Sequence, residues 1–188
     1  MTSILDPLGG MGFDNRRALL LGEKIAKDRG EVARNLRGQL KHKAGSMGDW
    51  IMLSVPNAMV HGVFQAMDEP GIELPSSGLD KRLDAHISVI RPDEVKLLGG
   101  PEALKNDRGK TFRYTLGRLV EVNPRGWPEM ERCWFLRVHS PELQALRRSY
   151  GLSSLPKDGE QDFHITVAVR RRGILGRNTK RKELPPLT

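Results

Sequence analysis

One cysteine in 188 residues, Cys133, excludes an intramolecular disulfide, and a reducing, cytoplasmic setting is the expectation that follows. Long apolar runs are missing too. None approaches the roughly 18 residues that a membrane span needs, and Leu19-Leu20-Leu21 is too short to be the core of a secretory signal. Metal-binding spacings are also lacking. His42, His61 and His139 fall into no His-Glu-x-x-His or Cys/His pattern, so neither a structural nor a catalytic zinc is expected. Gly109-Lys110-Thr111 imitates the end of a phosphate-binding loop, but Leu104 stands where that loop needs a glycine. What is present, 38% apolar residues with three Trp, five Phe and two Tyr, suffices for one globular domain.

The net charge of +8 is unevenly spread. Residues 1–48 carry nine Lys/Arg against five Asp/Glu, and 170–188 carry seven against one, which leaves 15 basic and 17 acidic residues for 49–169. That division argues against a broad phosphate-tracking surface on the central part. The basic ends are either solvated tails or a contact for nucleic acid.

Residues 1–12 read as a leader rich in glycine. Asp14 can cap a helix whose apolar positions include Leu19, Ile25, Val32, Leu36 and Leu40, so residues 1–48 are expected to form a leader and helical extension. Trp50–Val55 is a buried-strand run, followed by Pro56 and a helix capped by Asn57. After a Pro/Gly/Ser loop comes the strand Ala85–Ile90, and Asp93–Leu98 fits a short helix. Thr111–Val122 alternates as a strand, and Asn123, Pro124, Gly126 and Pro128 end it. The plan then repeats. Cys133–Val138 is a strand, Ser140 caps and Pro141 opens a helix that Gly151 stops, and a polar loop leads to the strand Phe163–Val169. With Trp50 matched to Trp134, the two halves are expected as lobes of roughly 49–110 and 111–169, with 170–188 a basic tail.

Each repeat ends on one pattern, His86-Ile87-Ser88-Val89 and His164-Ile165-Thr166-Val167, 78 residues apart. On a strand, residues i and i+2 share a face, so each motif sets an imidazole beside a hydroxyl. Brought together, two imidazoles can supply the base and the acid that displacement at a phosphodiester requires, while two hydroxyls hold the non-bridging oxygens. Asp84 and Asp162, each two residues before a motif histidine, share its face and serve either to orient the ring or tune its pKa or simply as strand-entry residues.

This pair of His-apolar-Ser/Thr-apolar motifs resembles the signature of the two-histidine (2H) phosphoesterases, over residues 50–169. The resemblance implies an α+β, bilobed fold in which two pseudo-symmetric antiparallel sheets line a central cleft with helices outside. It implies a metal-independent and cofactor-free phosphodiesterase with His86, His164, Ser88 and Thr166 as the catalytic set. Its menu of substrates comprises 2′,3′-cyclic phosphates, RNA ends, 2′-5′ linked oligonucleotides and cyclic oligonucleotide signals. The chain departs from the RNA-ligase-like branch, because the acidic stretch Lys157–Asp162 precedes its second motif where that branch is basic and aromatic. That favours a small nucleotide or oligonucleotide over a long RNA. The compact size and N-terminal segment resemble phage members that degrade cyclic oligonucleotide messengers of bacterial defence. Tyr114, Trp127, Trp134 and Tyr150 are candidates for stacking on a base, and Arg82, Lys110 and Arg113 for meeting phosphates. For Trp134 and Tyr150 the core or a helix face is the better reading, and Cys133, in an apolar strand, reads as a small core residue rather than a nucleophile. The alternatives to a small-substrate hydrolase are an RNA-end cyclic phosphodiesterase, a nucleotide-binding protein without turnover, and a nucleic-acid binder acting through its basic ends.

Overall fold

Alternating side chains become strands in six places in the computed structural model, which describes residues 33–45, 48–75, 84–124, 127–159 and 161–172. In chain order these are β1 (Ala33–Gly45), β2 (Gly48–Ser54), helix α1 (Asn57–Ala66), β3 (His86–Ile90), helix α2 (Pro92–Leu97), a 3₁₀ turn at Pro101–Leu104, β4 (Thr111–Val122), β5 (Met130–His139), helix α3 (Pro141–Ser149), a 3₁₀ turn at Lys157–Gly159, and β6 (His164–Arg171). The unit strand, strand, helix, strand thus occurs twice, as β1β2α1β3 and β4β5α3β6.

All neighbouring strands are antiparallel, in the order β3-β2-β1-β4-β5-β6. The two halves meet at the β1–β4 pairing, where Leu36 faces Tyr114 and Arg37 faces Arg113. Where two separate sheets were expected, one hydrogen-bonded order therefore runs through both repeats. A flat sheet would hold its edge strands about 24 Å apart, five steps of about 4.8 Å. Instead, Cα atoms of β3 and β6 approach within 8 Å, so the sheet curls until its two edges adjoin.

One face of this sheet is apolar. Leu36, Leu40, Leu53, Ile87, Leu116, Leu136 and Ile165 join Met59, Val60 and Val63 of α1 and Leu143 and Leu146 of α3 in a single buried cluster. The capping of α3 is as the sequence predicts, with Leu143 N–H donating to Ser140 Oγ at 3.2 Å. For α1 it is not. The helix starts at Asn57 itself without a side-chain cap, and Asn57 Oδ1 instead accepts the Ala85 N–H at 2.9 Å, tying the start of the helix to the start of β3.

The helix expected from Asp14 through Leu40 is replaced, over the described residues 33–45, by β1. Leu36 and Leu40 are four residues apart, a spacing that satisfies a helical turn and also places both on one face of a strand. Gly38 between them decides the matter. A Cβ there would lie 2.6 Å from Leu53 Cγ and from the Ser54 carbonyl oxygen, so glycine lets β1 and β2 approach each other. The matching of Trp50 with Trp134 is also corrected. Ser54 faces His86 and Arg137 faces His164, so the equivalent of Trp50 is Cys133, four residues before Arg137. Trp134 is a core residue, 4% exposed.

Candidate active site

The two motif strands repeat each other in burial and in register. Ile87, Val89, Ile165 and Val167 are fully buried, while His86, Ser88, His164 and Thr166 are half-buried on the opposite face. Ser54 and Met52 lie across from His86 and Ser88, and Arg137 and Phe135 lie across from His164 and Thr166. Each strand then carries one extra residue. Pairing passes from Met52↔Ser88 to Ile51↔Ile90, and from Phe135↔Thr166 to Trp134↔Ala168. Val89 and Val167 are thus bulged residues immediately after the two hydroxyls, and such bulges re-aim neighbouring side chains.

Each imidazole is held in the same way. His86 Nδ1 lies 2.6 Å from the Asp84 carbonyl oxygen and His164 Nδ1 lies 2.9 Å from the Asp162 carbonyl oxygen. A carbonyl can only accept, so Nδ1 carries the proton and Nε2 is the other ring nitrogen, basic when the ring is neutral and a donor when it is charged. The aspartates anticipated as orienting groups do hold the rings, but through the backbone. Their carboxylates go elsewhere, Asp84 to Lys43 Nζ at 2.6 Å and Asp162 to Arg137 at 3.6 Å.

The surroundings of the two rings differ. The Phe135 ring lies against His164, with centroids 4.9 Å apart. Burial holds the His164 pKa below that of an ordinary imidazole, and the nearby His86 and Arg91 lower it further against the raising effects of the Asp162 carbonyl and carboxylate. That mutual influence brings His86, Arg91 and His164 into one electrostatic neighbourhood. Arg91, which follows β3, lies over the Trp50 ring at 5.4 Å. Sequence reading missed both residues. The signal was there in part, since Arg91 is five residues beyond His86 and comes to its face once the bulge is counted. Ser88 Oγ and Thr166 Oγ1 make no hydrogen bond among the described residues. No group of three or more His, Cys, Asp or Glu side chains suited to a metal ion occurs among the described residues.

Among the described residues, those expected to bind substrate make their own bonds and packing contacts, none of them to either histidine. Tyr114 is 2% exposed in the core, and burial drives its phenol far above the usual range. The Tyr150 hydroxyl donates to Asp107, and burial followed by that bond pushes its pKa to about 12. Lys110 also pairs with Asp107, at 2.6 Å. Arg113 pairs with Glu142 at 2.5 Å on the β4 strand at the sheet's centre. Trp127 is exposed, between β4 and β5. Arg82 lies outside the described residues. No helix among the described residues is long and apolar enough to cross a membrane.

A family model described as Swiss Army Knife, 2H phosphoesterase domain, matches residues 49–175. Searches of curated proteins and of solved structures return no match. The match spans both His-apolar-hydroxyl strands, the bulge after each and the doubled strand-helix-strand plan. The chain belongs to the 2H phosphoesterases and is a phosphoric diester hydrolase.

Proposed function

We propose that His164 and His86 act as a base and acid pair on one ribonucleotide phosphodiester, with Ser88 and Thr166 donating to its non-bridging oxygens. The observation that carries this reading is the identical suspension of the two rings, Nδ1 on a carbonyl two residues back and Nε2 without a hydrogen bond among the described residues, on edge strands that adjoin. His164, biased toward its neutral form, is suited to remove the proton from an attacking water or 2′-hydroxyl. His86, carrying its proton, then delivers it to the leaving oxygen as the P–O bond breaks. The hydroxyls meet charge that grows on the phosphorus oxygens, and Arg91 adds positive potential. These groups suffice for the proton transfers without a metal ion. The substrate class is a 2′,3′-cyclic phosphate, or a 2′-5′ or 3′-5′ linkage in a small or cyclic oligonucleotide.

The test is hydrolysis in excess chelator of a panel of 2′,3′-cyclic nucleotides, 2′-5′ oligonucleotides and cyclic di- and trinucleotides, with a duplex RNA carrying a terminal cyclic phosphate as the long competitor. Turnover of at least one small substrate is expected. Turnover confined to cyclic oligonucleotides would favour the branch that degrades defence messengers. Tight binding without product would contradict the proposal.

A further inference from the structure

Outside the motif face, the most heavily bonded side chain among the described residues is Arg147 of α3, which has no solvent exposure. All five of its N–H donors are used. Nε donates to the Ser153 carbonyl at 2.8 Å, Nη1 to the Val89 carbonyl at 2.7 Å and to Glu94 Oε2 at 2.9 Å, and Nη2 to Glu94 Oε1 at 2.6 Å and to the Leu155 carbonyl at 3.0 Å. Glu94, in the first turn of α2, is 7% exposed and also accepts the Arg91 N–H at 2.9 Å. The arginine belongs to the second repeat, whereas Val89, Arg91 and Glu94 belong to the first.

The place where this clamp grips gives it meaning. Val89 is the extra residue of the β3 bulge, where a ladder carbonyl loses its regular partner, and Arg147 supplies one. Ser88 precedes that residue, and Arg91 follows two positions later. We infer that Arg147 and Glu94 are positioning residues for the first half of the site. They fix the Val89 bulge and the Arg91 backbone from behind, and so set the aim of the Ser88 hydroxyl and the Arg91 guanidinium. A planar fork is required for this, because a lysine ammonium cannot meet two carboxylate oxygens and three carbonyls together. The catalytic part of the inference rests on the role proposed above for Ser88, whereas the bracing of the bulge does not.

Two readouts separate these parts. In Arg147→Lys, with Glu94→Gln as the second variant should the first fail to fold, amide hydrogen exchange at Val89, Ile90 and Arg91 should accelerate about tenfold more than at the matching Val167, Ala168 and Val169. Equal acceleration in both repeats, or unchanged protection at 89–91, would overturn the clamp. On a 2′,3′-cyclic nucleotide, kcat should fall about tenfold with KM held, and the same substitution placed in Ser88→Ala should cost almost nothing more. Full additivity of the two substitutions, with exchange at 89–91 accelerated as expected, would leave the bracing standing and overturn its link to Ser88.

Discussion

The two repeats of this sheet agree in geometry and differ in environment. Both present His, apolar residue, hydroxyl and bulge in sequence, and both hang the imidazole from the carbonyl two residues back. Yet His164 has an aromatic ring against it and a pKa lowered chiefly by burial, whereas the first repeat carries Arg91, whose equivalent in the second is Val169. Only the first repeat has its bulge carbonyl held by the buried Arg147. On the proposed reading, the repeated geometry provides two proton carriers and the differing surroundings assign their tasks. A symmetric pair would compete for one proton, and the lowered His164 pKa is the asymmetry on which the proposed assignment of base and acid rests.

The most severe way to break the comparison is to delete a ring from either half. His86→Ala and His164→Ala should each lower kcat/KM by about 10²–10⁴-fold, and the double variant should lose little beyond the worse single, because the two act in one event. Circular dichroism melts close to the parent would show that folding is intact. Ser88→Ala and Thr166→Ala come next, each expected to lower kcat by about 10²-fold with a small change in KM. A third pair sharpens the difference between the halves. Phe135→Ala admits water to His164 and raises its pKa, so the acidic limb of the pH–rate profile should move to higher pH, with little change in the maximum. Met52→Ala, the matching change in the first half, should leave that limb in place. The smallest effects are expected for Trp127→Ala and Lys110→Ala, with KM within about twofold of the parent.

How far the sequence announced this arrangement depends on the range of the interaction concerned. The motif strands, α3 with its Ser140 cap and the β4 strand were legible, because alternation, caps and breakers are local. So was the placing of both histidines beside hydroxyls on one face. The β1 strand was not legible, since a four-residue apolar spacing fits two periods and only the approach of β2 to Gly38 decides between them. The bulges were hidden for the same reason. They are mismatches of register between β2 and β3 and between β5 and β6, and no single segment records them. The supposed base-stacking and phosphate residues were chosen by type, and type cannot distinguish a core tyrosine such as Tyr114 from an exposed one. Arg147 and Glu94 are 53 residues apart in sequence, and each reads alone as an ordinary helix-surface charge.

The central claim is that two rings from distant parts of the chain converge, and it can be tested without any substrate. In protein with ¹⁵N-labelled histidine, the His164 resonances followed by NMR across the imidazole titration range give its midpoint directly. With the two rings adjacent, a charged His86 holds that midpoint down. In His86→Gln the His164 midpoint is therefore predicted to rise, while His42→Gln, on β1 and bonded to Asp49, leaves it where it was. A His164 midpoint indifferent to the loss of His86 would contradict the account.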